Sequence, residues 1–119
     1  MNASIRFPRN GQKVDRGELV TGRIVPPGPV QILVKARDGK WYLQAPSEQR
    51  GSHWSVSVFF GDDDAPEGTE YEMAVVRGYN TIKESPLECL PEGLEVVTTG
   101  WVRRKSRRGN ADGAASRTE

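Results

Sequence analysis

Reactive and stapling residues are scarce in this chain. Cys89 is the single cysteine among 119 residues, so no disulfide can form within the chain and the fold has to stand on packing alone. With Glu88 and Glu92 close by to oppose the negative charge of a thiolate, Cys89 reads as a buried, inert thiol rather than a nucleophile. His53 is the single histidine. Catalytic dyads and most transition-metal sites need an imidazole near a nucleophile or further ligands, and nothing around His53 supplies them. It reads as a surface residue at the start of a strand. The two lie 36 positions apart with no motif tying either to a base, a metal or an oxyanion hole. The sequence therefore points away from an enzyme, and to no cofactor.

Long apolar runs are missing too. No stretch approaches the length of a membrane span, and Met1 to Pro8 lacks the charged segment followed by an apolar one that a secretion signal needs. The expectation is a soluble, cytoplasmic protein. Hydrophobic residues make up only 35 %, while glycine (13) and proline (8) are plentiful. That balance favours many short strands joined by turns over helices built from unbroken good formers. The length suits one domain.

What is present is strong β patterning, concentrated between Pro29 and Phe60, where Trp41, Tyr42, Trp54, Phe59 and Phe60 supply five of the nine aromatic residues. Val30, Ile32, Val34 and Ala36 alternate with Gln31, Lys35 and Arg37, and Trp54, Val56, Val58 and Phe60 alternate with Ser55 and Ser57. A two-residue period of this kind predicts antiparallel strands with one dry face and one wet face. Ser4 to Pro8 reads as an opening strand with Ile5 and Phe7 facing the core, placed at an edge or ended by Pro8, which cannot donate to a ladder. Glu18 to Val25 follows, and Gly22 inside it suggests a bulge or the close approach of backbone from the opposing sheet. Pro26-Pro27-Gly28-Pro29 is a stiff corner that predicts a crossing between sheets. Asp38-Gly39 predicts a two-residue hairpin turn. Ala45 to Gly51 reads as polar connection, and Gly61 to Gly68 as a loop. Thr69 to Arg77 reads as a strand with Tyr71, Met73 and Val75 on one face. Thr81 to Leu90 is expected to hold a short helical turn capped by Thr81. Glu95 to Arg103 reads as the last strand, with Val96, Thr98 and Val102 opposite Val97, Thr99 and Trp101. The predicted fold is all-β, an immunoglobulin-like antiparallel β-sandwich of about seven strands with a short helical turn near 81–90.

Charge divides the chain. Residues 103–119 carry six basic residues against Asp112 and Glu119, a net +4, while residues 1–102 are −3. The expected organisation is a sandwich over 1–103 and a basic, disordered tail over 104–119.

The chain resembles a family of bacterial immunoglobulin-like domains. These open with an Ile-x-x-Pro-x-x-Gly-x-x-Val element, matched by Ile5, Pro8, Gly11 and Val14, followed by Val-x-Gly, matched by Val20 and Gly22. Their Tyr-x-x-Gln or Tyr-Tyr-Pro-Gln element is similar to Trp41-Tyr42-Leu43-Gln44, with Leu43 in place of proline, and their Gly-x-x-Trp to Gly51 and Trp54. Gly68, Tyr71 and Met73, and then Leu90, Pro91 and Gly93, match the remaining elements, so that the likeness runs from Ile5 to Arg103. The resemblance implies a β-sandwich accessory module without chemistry of its own.

Three places could still bind something. Asp62-Asp63-Asp64 with Glu67 offers oxygens for calcium, yet consecutive side chains diverge and the spacing is not that of calcium loops, so it reads as a solvated loop and no metal is expected. Arg103, Arg104, Lys105, Arg107 and Arg108 could contact anions such as phosphates or an anionic membrane surface, in a salt-sensitive and sequence-blind way. Without interleaved aromatics or an element to enter a groove they do not point to nucleic acid. Trp41, Tyr42 and Trp101 sit on strands that can expose a face, where aromatic rings stack on sugars or form a protein interface. The functional expectation is a non-enzymatic interaction module that binds another protein or itself through a sheet face or edge. The alternatives are a carbohydrate-binding sandwich using exposed aromatics, or a decorating subunit of a larger particle.

Overall fold

The computed structural model describes residues 2–61, 65–78, 85–93 and 95–105. Nine strands run through them: β1 (Asn2–Phe7), β2 (Lys13–Val14), β3 (Gly17–Val25), β4 (Val30–Lys35), β5 (Trp41–Leu43), β6 (Glu48–Arg50), β7 (His53–Phe59), β8 (Glu70–Arg77) and β9 (Val96–Arg104). They form a four-stranded sheet, β1-β3-β7-β6, and a five-stranded sheet, β2-β9-β8-β4-β5. All pairings are antiparallel except β2 with β9. The protein is an all-β sandwich.

The core lies between the sheets and is built by the alternation read from the sequence. Val20 and Ile24 of β3 and Trp54, Val56 and Val58 of β7 meet Val30, Ile32 and Val34 of β4, Tyr71, Met73 and Val75 of β8, and Val102 of β9. Trp54 is 2 % exposed and Phe60 packs edge-tilted on Tyr71, ring centroids 5.9 Å apart. The Pro26–Pro29 corner carries the chain from one sheet to the other, as expected, and is pinned by Arg77, whose Nη1 donates to Pro26 O at 3.2 Å.

Several expectations need correction. There are nine strands among the described residues rather than about seven, because β2 and β6 are too short and too polar to leave an apolar alternation. They are held by backbone pairing to β9 and β7. Phe7 does not face the core: a register shift between Ile5 and Phe7 pairs Phe7 with Thr21 and turns it outward, 37 % exposed, while Pro8 is buried. A second shift, opposite Val75 and Val76, sends Val97 to the core and Val96 out. The β4–β5 turn is one residue longer than the expected two-residue loop: Gly39 N–H donates to Ala36 O, and Ala36 N–H to Lys40 O, both at 2.9 Å.

Of the helical turn expected near 81–90, Thr81 to Glu84 lie outside the described residues. Ser85 to Leu90 are not helical. Leu87 and Trp41 exchange backbone hydrogen bonds of 2.8 Å, and Ser85 Oγ accepts from Leu43 N–H at 3.0 Å. Pro86 and Pro91 remove the donors a helix would need there. This segment lies over the outer face of the five-stranded sheet, where Leu87 and Leu90 join Trp41 and Leu43 to cover Leu33 and Val76 in a second, smaller core. Cys89 points away from that contact and is exposed, not buried as expected.

Gly22 is packed closely, but not by the opposing sheet. It pairs with Trp54 on the neighbouring strand, and a Cβ there would collide with the indole and with Ser4 O. Gly22→Ala is expected to destabilise the fold by about 3 kcal/mol through overpacking, read as a lowered urea midpoint at unchanged denaturant slope. A midpoint equal to that of the parent protein would show that the indole has room to move.

Candidate functional site

On the outer face of the five-stranded sheet, register places four side chains in one row across four strands. Trp41 pairs with Lys35, Lys35 with Glu72, and Glu72 with Trp101. Three strand spacings separate the two tryptophans, about 14 Å between their Cα positions. Between them lies an open depression of about 770 Å³, bordered also by Asn10, Arg37, Glu70 and Leu90.

Each wall is held firmly. Trp101 is 38 % exposed, yet its backbone N–H donates to Asn10 Oδ1 at 3.1 Å and its carbonyl accepts from Gly11 N–H at 2.9 Å. Gly11, at φ +78°, lets the turn lie against the ring: a Cβ there would sit 3.1 Å from Cη2. Arg103 stands 5.6 Å from the ring centroid. Trp41 is half-buried, packed on the second core and fixed by its bridge to Leu87. On the floor, Lys35 Nζ lies 3.9 Å from Glu72 Oε1 and 6.0 Å from the Trp41 ring centroid. Both ends of that ion pair are substantially exposed, so it contributes little to stability and remains open to exchange for a ligand's groups. The depression thus has an anchored indole at each end and an exposed ion pair on its floor.

Tyr42 does not join it. Successive strand residues face opposite ways, so Tyr42, paired with Val34, faces a separate depression of about 680 Å³ at one end of the sandwich, with Leu43, Phe59, Ala65 and Tyr71. Its Oη donates to Asp38 Oδ2 at 2.6 Å, and Asp38 Oδ1 accepts from Lys40 N–H at 2.9 Å. The bond from Tyr42, then that from Lys40 N–H, lowers the Asp38 carboxyl below its ordinary range. The same bond to Asp38 raises the Tyr42 phenol.

The basic residues separate as well. Arg104, expected in the anion-contacting tail, is the last residue of β9 and 3 % exposed. Its Nη1 donates to Phe60 O at 2.6 Å. It is directed inward because it keeps the parity of Val102 and pairs with Val14 at the end of the sandwich, where a long side chain reaches a carbonyl. Arg103 faces outward beside Trp101, and Lys105 Nζ lies 3.8 Å from Asp15 Oδ2. Arg107 and Arg108 lie outside the described residues, as do Asp62 to Asp64. His53 is exposed at the start of β7.

Sequence reading missed Lys35 and Glu72 as partners of the two tryptophans. No local signal joins positions 35, 41, 72 and 101, because only strand pairing aligns them. Among the described residues no helix is long and apolar enough to cross a membrane. No protein-family model matches the chain, and no curated protein matches it.

The Tyr42–Asp38 bond has a testable pH signature. Asp38, with a lowered pKa in the folded chain, adds stability above the ordinary carboxylate range that is lost as pH falls through its folded value. Tyr42, with a raised pKa, adds stability that is lost as pH rises through its own. Tyr42→Phe should therefore lower the melting temperature slightly near neutrality, and the difference should shrink at both pH extremes. A difference constant from acid to alkaline pH would discount the bond.

Proposed function

We propose that this chain is a non-enzymatic binding module of the bacterial immunoglobulin-like kind, which docks another protein against the outer face of its five-stranded sheet. The observation that carries this reading is the Trp41–Lys35–Glu72–Trp101 row. Tryptophan is enriched among the residues that dominate interface energies, and rings already ordered before binding lose little side-chain entropy on docking.

The immunoglobulin-like part of the reading is supported by topology. Lettered A, A′, B, C, C′, D, E, F and G in chain order, the strands give A-B-E-D facing A′-G-F-C-C′, an order that such sandwiches share. Positions of the family-like motif also carry structural roles: Pro8 closes β1, Gly11 seats Trp101, Gly22 makes room for Trp54 and Leu90 covers the second core. The buried tryptophan departs from antibody domains in lying on the strand lettered E, and Cys89 has no second cysteine to pair with.

A face is favoured over an edge. β2 has two residues, β5 and β6 have three each, β5 is already bridged by Leu87, and β1 closes at Pro8. Short, charged or covered edges are poor templates for another strand. Carbohydrate is the second reading, favoured by indoles at both ends of a depression whose floor and rim carry Asn10, Glu70, Glu72 and Lys35.

Trp101→Ala is the informative variant, because Trp101 lies outside both packed cores. Affinity for a captured protein partner should fall by about 2 kcal/mol or more, measured by calorimetry, while the melting temperature stays near that of the parent. If wild type and variant retain the same proteins with equal affinity, this face is not the interface. Quenching of tryptophan fluorescence by soluble oligosaccharides, lost in the same variant, would decide for the carbohydrate reading instead.

A further inference from the structure

The outer face of the four-stranded sheet is a different surface. Four large apolar side chains point out of it: Phe7 (37 % exposed), Leu19 (54 %), Val25 (43 %) and Phe59 (57 %). The register explains why they share a side. Phe7 pairs with Thr21 and Phe59 with Gly17, and residues 17, 19, 21, 23 and 25 of β3 all face outward, opposite buried Val20, Gly22 and Ile24. Phe7, Leu19 and Phe59 therefore run diagonally across three strands.

Cations lie between and beside them. Arg23 pairs with His53 and His53 with Arg50, giving a row across β3, β7 and β6 with no carboxylate in it. Arg23 and Arg50 stand on either side of His53, and no carboxylate in the row neutralises either guanidinium, which leaves them open to an anionic partner. Arg6 and Arg50 border a depression of about 360 Å³ floored by Thr21 and Ser55, with Glu48 as the single acidic residue on its rim. Arg16 stands over the Phe59 ring, 5.2 Å from its centroid. Among the described residues, no ion pair engages Arg6, Arg23 or Arg50. Arg23 Nη2 donates to Ser52 Oγ at 3.3 Å.

We propose that this face docks peripherally on an anionic lipid bilayer. The apolar side chains enter the boundary between headgroups and acyl chains, and the arginines meet lipid phosphates at the level of the sheet. Three features select a bilayer over an acidic protein. The face is the broad side of a sheet, and its exposed apolar residues are spread diagonally over it rather than gathered in a cleft. Apolar and cationic side chains share the face, the composition that interfacial segments use to bind anionic membranes. The chain also continues for fourteen residues beyond Lys105, carrying Arg107, Arg108 and Arg117 against Asp112 and Glu119, a net +1. It leaves the fold at the Phe59 end, where Lys105 N–H donates to Val14 O at 2.8 Å and Phe60 N–H to Arg16 O at 2.7 Å.

The test is co-sedimentation of the full chain with vesicles of phosphatidylcholine alone, and of phosphatidylcholine and phosphatidylglycerol in equal parts. Binding is expected only to the mixed vesicles and should weaken with salt. The double variant Leu19→Ser/Phe59→Ser should lose about tenfold in binding. Arg6→Gln/Arg50→Gln should weaken binding and flatten its salt dependence. Circular dichroism melts confirm that each variant folds, and agreement between the two variants guards against the failure of either one. Failure to sediment with the mixed vesicles overturns the proposal, including the case where an acidic protein is bound instead. So does a Leu19→Ser/Phe59→Ser variant that binds as the parent does, because the basic C-terminal residues alone would then account for the association.

Discussion

The indole of Trp54 lying over the bare backbone of Gly22 is the contact on which the rest of the architecture depends. The two residues are direct partners across β3 and β7, and the indole occupies the space a side chain at position 22 would need, with the Ser4 carbonyl of β1 closing the other side. Three strands are thereby locked to one register. Trp54 is 2 % exposed and packs within the main core, where the shape of the ring and its apolar contacts hold it in place. A one-residue slip of β3 against β7 would put Cβ atoms under the indole and turn Val20 and Ile24 to solvent.

From that register both outer faces follow, and they are finished differently. Behind the five-stranded sheet, the segment from Ser85 to Gly93 covers Leu33 and Val76 but stops short of the β8–β9 side, leaving Trp101, Glu72 and Lys35 open beside the half-buried Trp41. Nothing among the described residues covers the four-stranded sheet in this way, and its outward positions carry arginine next to phenylalanine and leucine. The molecule thus presents two broad surfaces of unlike chemistry, one aromatic with mixed charge and one apolar with positive charge. The two proposed docking surfaces therefore lie on opposite sides of the sandwich, away from its short edges.

Tyr42 and Arg104 show where reading along the chain fails. Tyr42 adjoins Trp41 in sequence, so an aromatic cluster suggests itself, yet neighbours on a strand face opposite ways and the two serve different depressions. Arg104 stands in a basic run and resembles its neighbours in charge, but the ladder formed with Val14 and Thr69 prolongs β9 far enough to bury it. Phe7, and the shared face expected for Val96 and Val102, depart from the reading for another reason. Each lies beside a register shift, and one extra residue inverts the inside–outside parity of its strand from that point on. Cys89 was misplaced because its hydrophobic neighbours Leu87 and Leu90 take the inward positions of a short irregular segment that has no period to read.

The all-β class, the alternating core around Trp54, the sheet-crossing proline corner and the edge position of β1 were legible along the chain. All of these rest on local rules: a two-residue period, a ring that fixes φ, a residue that cannot donate. It took the folded arrangement to put residues 35, 41, 72 and 101 in one row, to bring arginines from three strands onto a face with Phe7, Leu19 and Phe59, and to place Arg104 inside. Those placements depend on which strands pair and in what register, and pairing energies are summed over residues far apart in the chain, so no window of sequence contains them.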